Sequence, residues 1–166
     1  ATDDLNVGPL ISAKQKDLVD GYIQAGVESG LTIAAQGEIV NGCPDKGCYV
    51  KPTLFRDVPA DHKLAQEEIF GPVQVAIPFD TEEEAIKIAN GTEYGLVTGI
   101  WTENGGRQMR MAKAVKAGQI FINNYGAGGG VELPFGGIGK SGFGREKGFE
   151  ALYGFSVLKT VAAKHD

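Results

Sequence analysis

Cysteine is scarce in this sequence: Cys43 and Cys48 are the only two. Two thiols cannot build the disulfide framework of a small secreted domain, and they point to a reducing, cytoplasmic setting. A single Cys43–Cys48 bridge across the intervening turn stays open, with nothing in the sequence to support it. Long apolar runs are missing too, and no stretch approaches the ~20 residues of a membrane-spanning helix. Basic charge is in deficit, with 16 Lys and Arg against 21 Asp and Glu and a net charge of -5. That balance excludes the basic face of a nucleic-acid binder. The opening Ala1-Thr2-Asp3-Asp4 has neither Met nor the basic and apolar regions of a signal peptide, and the chain reads as a piece of something longer. With only His62 and His165 beside the two cysteines, no metal-ligand set is expected.

Glycine is in excess. The 25 glycines among 166 residues are about twice average usage, and they follow no collagen-like period. They belong in loops where backbone approaches backbone or a ligand. An apolar fraction of 42% beside 22% charged residues gives a globular chain with a core.

Hydrophobic spacing predicts a helix after Ser12, with Leu18, Val19, Tyr22, Ile23 and Val27 on its apolar side and Gly30 as its stop. Short strands are expected over 32–35, 48–55, 73–79, 96–102 and 119–123, and the acidic turn 64–70 ends at Gly71-Pro72. Asp80 with Glu83 suggests a capping box for the next helix. Asn104 caps another, which Gly118 ends. A short helix is expected over 146–153, and 155–163 alternates like an exposed strand. Strands alternating with helices imply βαβ units, an α/β fold with an open, mainly parallel sheet and flanking helices.

Cys43 and Cys48 flank a Pro-Asp-Lys-Gly turn, away from any helix N-terminus or base that would activate a thiol, and read as structural. Glu67-Glu68-Ile69-Phe70-Gly71-Pro72 has two readings. One is a solvated turn; in the other a carboxylate accepts hydrogen bonds from the vicinal hydroxyls of a ribose, with an aromatic ring beside it. Gly137-Ile138-Gly139-Lys140-Ser141 invites a phosphate loop, but the position that should hold its first glycine is Pro134, so an NTPase is rejected.

Taken together, Glu67-Glu68-Ile69-Phe70-Gly71-Pro72, Tyr94-Gly95-Leu96, Ile122-Asn123-Asn124-Tyr125, Pro134-Phe135-Gly136-Gly137, Lys140-Ser141-Gly142 and Gly144-Arg145-Glu146 resemble the C-terminal part of an NAD(P)-dependent aldehyde dehydrogenase. Asn6-Val7-Gly8-Pro9-Leu10-Ile11 is similar to the segment that follows the catalytic cysteine there. The resemblance implies oxidation of an aldehyde to its acid with NAD or NADP, through a thiohemiacetal on an upstream cysteine. It implies that residues 1–154 are the C-terminal portion of the catalytic domain and 155–166 a closing strand for homo-oligomerisation. The nucleophile, the general base and the dinucleotide-binding domain would lie outside this chain, which alone would be inactive.

By the same resemblance, Glu68 holds the nicotinamide ribose with Phe70 beside it, and Phe135 lines the substrate tunnel. Glu68 and Phe135 would be two walls of one cleft. Glu146 matches a glutamate of a proton path, which would be a buried acid, and Arg145 a residue near the subunit interface. The small stretch 126–132 ends in Glu132, read either as a countercharge for amino or guanidino aldehydes or as a carboxylate in solvent. Two rivals stand beside this reading: a non-catalytic binding module of the same fold, and a piece of a semialdehyde or CoA-acylating dehydrogenase.

Overall fold

A computed structural model describes residues 7–126 and 130–165. Asn6 and residues 127–129, on which some of the expectations fall, lie outside the described residues. The chain divides into two compact units, Ala1–Phe79 and Asp80–Asp166.

In the first unit, helix α1 spans Ala13–Glu28, and the Ser12 hydroxyl accepts from the Gln15 amide at 3.2 Å as its cap. The helix closes in a paired C-terminal motif. Leu31 N–H donates to Gly26 O and Gly30 N–H to Val27 O, both at 3.0 Å, with Gly30 left-handed at φ 84°. Strand β1 (Thr32–Gln36) pairs antiparallel with β2 (Thr53–Arg56). β2 pairs parallel with β3 (Val73–Val75), across a connection that carries the four-residue helix α2 (Lys63–Gln66).

β2 starts later than expected because Pro52 has no N–H to give the ladder. After Arg56 the chain turns away through Asp57, at φ 55°. Val19, Val50, Phe55, Val58, Leu64 and Ile69 form the core of this unit. Gly26 lets α1 close on it, since a Cβ there would lie 2.9 Å from Phe55 Cζ.

In the second unit, helix α3 covers Glu82–Ala89 and is capped by Thr81, whose hydroxyl accepts from Glu84 N–H at 3.1 Å. The expected Asp80–Glu83 pair is thus displaced by one residue, and Asp80 N–H donates to Glu84 Oε2 at 2.9 Å. The displaced start places Glu82, Glu83 and Glu84 together in the first turn, where the helix dipole favours negative charge.

Strand β4 (Tyr94–Gly95) is followed by β5 (Val97–Ile100), helix α4 (Gly105–Ala114) and β6 (Gln119–Ile122). β5 and β6 are parallel, and α4 is their crossover. Asn104 caps α4, accepting from Arg107 N–H at 2.9 Å. β7 (Ile138–Gly139) pairs antiparallel with β4. The α/β class and its parallel βαβ units are therefore observed, with two antiparallel pairs added.

Helix α5 occupies Glu150–Gly154, starting four residues later than expected. Lys147 and Gly148 are left-handed, at φ 61° and 62°, a conformation that no α-helix propagates. Residues 156–165 form no strand, and Phe155, Val157, Leu158 and Val161 are exposed. A strand exists only where a ladder partner supplies hydrogen bonds, and the described residues supply none there. None of the described helices is long and apolar enough to cross a membrane.

Candidate functional site

The segment Glu67–Gly71 of the first unit is held by one face of α1. Residues 15, 19, 22, 26 and 29 recur at helical intervals of four and three, so their side chains line one stripe. Gln15 Nε2 donates to Ile69 O at 3.0 Å and to Phe70 O at 3.2 Å. Val19 is fully buried and meets Gly71 so closely that a Cβ there would lie 2.5 Å from Val19 Cγ2. Tyr22 Oη donates to Glu67 Oε2 at 2.5 Å. Ile69 turns inward and is buried.

This anchoring divides the two glutamates. Glu67 is engaged by Tyr22 and by Lys63 at 3.8 Å. Glu68 is exposed, and its carboxylate has no hydrogen-bond or ion-pair partner among the described residues. Phe70 follows in the left-handed region at φ 54°, with its ring 71% exposed. A non-glycine residue in that conformation costs about 1 kcal/mol or more, and the large ring gains no burial in return. An acceptor-only carboxylate next to an exposed ring, on a segment fixed at both ends, is chemically suited to a ribose diol and an adjacent flat ring.

In the second unit, the glycine-rich segment packs backbone against backbone. A Cβ on Gly118 would fall inside the Gly136 carbonyl oxygen and 2.7 Å from its carbon. Phe135 and Glu146 form an antiparallel bridge, with Phe135 N–H to Glu146 O at 2.6 Å and Glu146 N–H to Phe135 O at 2.7 Å. The Phe135 ring is half-buried, with the Lys147 ammonium 5.4 Å from its centroid. The Glu146 side chain is exposed. Arg145 folds back to donate to Gly144 O at 2.6 Å and Gly137 O at 3.0 Å, tying the two arms of the loop together. Gln119 Nε2 donates to Pro134 O at 3.1 Å, while its buried Oε1 has no partner among the described residues. Glu132 is exposed, and its carboxylate lies over Gly130, where a Cβ would displace it.

Each predicted residue is therefore placed within its own unit: Glu68 and Phe70 in the first, Glu132, Phe135, Arg145 and Glu146 in the second. A cleft of about 400 Å³ in the second unit is lined by Asn90, Glu93, Tyr94, Lys116 and Ile138, among others, and includes none of them.

Two supporting roles were not legible in the sequence, that of Gln15 and that of Asn123, which enters there only as part of the Ile122-Asn123-Asn124-Tyr125 motif. Gln15 looks like an ordinary helix residue, although the 15-19-22-26 interval carries its signal. Asn123, left-handed at φ 50°, accepts from Thr102 N–H at 2.8 Å and donates to Thr102 O at 2.9 Å, fixing the end of β6 beside that of β5. Cys43 and Cys48 are free and half-buried, and neither precedes a helix. Burial first, and the Cys43 thiol second, push the Tyr49 phenol above its ordinary range. No group of His, Cys, Asp and Glu among the described residues could hold a metal ion.

The family model described as the aldehyde dehydrogenase family matches residues 1–161. A betaine aldehyde dehydrogenase of Agrobacterium fabrum is 44% identical over 156 residues, covering 94% of this chain and 31% of that protein. A Burkholderia cenocepacia protein assigned to the aldehyde dehydrogenases superposes with a TM-score of 0.92 at 60% identity, over 98% of this chain and 34% of that one. A Mycobacterium tuberculosis aldehyde dehydrogenase in complex with NAD+ gives 0.83 at 43% identity, over 90% of this chain and 30% of that one. The chain thus spans about a third of the length of the curated relatives it matches. With the motif order, the pinned Glu67–Gly71 segment and the family match in agreement, this chain belongs to the aldehyde dehydrogenase family.

Proposed function

We propose that the protein to which this chain belongs oxidises an aldehyde to a carboxylic acid with NAD or NADP, and that Glu68 and Phe70 are its nicotinamide-ribose contacts here. The observation that carries this reading is the Glu68 carboxylate, unpartnered among the described residues, beside the strained, exposed Phe70 ring. The bound dinucleotide supplies the hydride acceptor. What this chain does is bind and orient: Glu68 accepts from the ribose hydroxyls, while Gln15, Val19 and Tyr22 keep the turn from yielding. The NAD+ complex of the Mycobacterium tuberculosis relative supports the cofactor class.

Phe135 lines the aldehyde's path, set in place by its bridge to Glu146. Glu146 belongs to the proton path and Arg145 to the neighbourhood of the subunit interface. Neither thiol of this chain is the nucleophile, so the isolated chain is inactive. Glu132 serves as a countercharge for a cationic aldehyde. Betaine aldehyde, named for several relatives, is a quaternary ammonium compound and supports that class. The exposed apolar side chains after α5 serve homo-oligomerisation, since an uncovered apolar edge invites association.

The test is Glu68→Gln in the full-length protein. Exchanging a charged acceptor for a neutral one costs about 1.5 kcal/mol, roughly a tenfold weaker Kd for NAD. An unchanged Kd would refute the assignment.

A further inference from the structure

We infer that His62 is a positioning residue for the cofactor-facing turn, a role that rests on the reading of Glu68 given above. α2 has only four residues, far too few to hold itself together, since isolated helices of that length do not persist in water. Among the contacts that hold it are the buried Leu64 side chain and the cap provided by His62.

His62 Nδ1 accepts from the Leu64 amide at 3.1 Å, which requires a lone pair on that nitrogen and puts the ring proton on Nε2. Nε2 lies 3.1 Å from Ser29 Oγ. With Nε2 the donor, Ser29 Oγ accepts from the ring and passes its own proton towards Gly26 O, 2.9 Å away. Each proton in this relay is donated once, and Gly26 O, which also accepts from Leu31 N–H, takes the hydroxyl proton on its second lone pair. It runs from the first turn of α2, through the imidazole and a hydroxyl, to a carbonyl in the last turn of α1.

The relay completes the stripe on α1. Gln15 fixes the downstream end of the cofactor-facing segment by its bonds to Ile69 and Phe70. Tyr22 holds Glu67 in the middle. Ser29, at the far end of the same helix face, holds α2 upstream through His62. Glu67 caps α2 at its C-terminus through a bond to Lys63 O at 3.0 Å, so a rotation of α2 passes directly into the backbone that carries Glu68. His62 has no contact with the carboxylate itself. It sets where that carboxylate points.

The experiment uses the full-length protein with two readouts, equilibrium NAD binding by calorimetry and the separate values of KM and kcat. His62→Leu removes cap and strut, and we expect NAD to bind about fivefold more weakly, the factor a lost helix cap is worth, with kcat within about twofold. His62→Asn restores an acceptor near the Nδ1 position, and Asn is among the best capping residues, but it leaves out the strut, so affinity should recover only to the level of Ser29→Ala, about twofold below wild type. Ser29→Ala cuts only the strut and should give an intermediate loss. Glu68→Gln is measured alongside.

Wild-type affinity in His62→Leu beside a weakened Glu68→Gln overturns the role of His62 and leaves that of Glu68 standing. Wild-type affinity in Glu68→Gln overturns the reading of the site, and the role of His62 with it. A fall in kcat matching the loss of affinity, or no recovery in His62→Asn, means that His62 only stabilises the fold, and overturns the inference as well.

Discussion

Gly118→Ala puts the packing of the second unit to a quantitative test. The added Cβ would fall inside the Gly136 carbonyl, 2.7 Å from its carbon and 3.1 Å from Gly137 Cα. All three obstructing atoms are backbone, so no rotamer change relieves the overlap, and the start of β6 must part from residues 136–137. Two hydrogen bonds lie in the path of that movement: Gly118 N–H to Gly95 O at 3.0 Å and Gln119 Nε2 to Pro134 O at 3.1 Å. Overpacking costs about 1 to 3 kcal/mol, and each lost bond about 1 kcal/mol more, for a total of about 3 to 5 kcal/mol. Urea unfolding of the chain measures the loss. Gly105→Ala is the matched control, because a Cβ there meets nothing within 4 Å. At the first position of α4 the change should stabilise by about 0.5 kcal/mol. If Gly118→Ala unfolds within about 1 kcal/mol of wild type, the close backbone approach beneath Phe135 is wrong.

Three further outcomes are expected. Glu82 accepts from Arg110 Nε and Nη2, both at 2.7 Å, and from Arg107 Nε at 3.3 Å. The Arg110 hydrogen bond, ahead of other causes, holds its carboxyl below the ordinary 4.5. Its stabilising contribution is therefore full above pH 4.5 and is lost as the pH falls through the lowered value. Unfolding midpoints recorded between pH 7 and 3 should drop less in Glu82→Gln than in wild type, and parallel curves would refute the α3–α4 clamp. In the full-length protein, Glu132→Gln should lower kcat/KM for amino aldehydes relative to aliphatic ones by about tenfold; an unchanged ratio would leave Glu132 a solvent carboxylate. Leu158→Lys in the full-length protein should shift sedimentation towards smaller species, and an unaltered profile would remove the C-terminal segment from the interface.

The features visible in the sequence are those with local causes. Ser12 and Asn104 cap their helices as expected because each bonds an amide three residues away. The start of α3 was displaced by one residue because Asp80 and Thr81 are both good caps, and the sequence around them does not rank the two. Lys147 gives no sign in the sequence of its left-handed backbone, which is why the helix begins at Glu150 and not at 146 as its spacing suggests. Alternation over 155–163 records a face to be covered, whereas a strand also needs a neighbour. In the candidate site, Glu68, Phe70 and Phe135 came from motif resemblance. Their supports did not, because Gln15 reaches Ile69 across 54 residues and His62 reaches Ser29 across 33. No local pattern reports such contacts.

The most direct measurement is a crystal structure of the full-length protein with NAD bound. Glu68 Oε1 and Oε2 should lie within about 3.2 Å of the two hydroxyls of the nicotinamide ribose, with Gln15 still bonded to the carbonyls of Ile69 and Phe70. A ribose held by other side chains, with Glu68 facing solvent, would contradict the assignment.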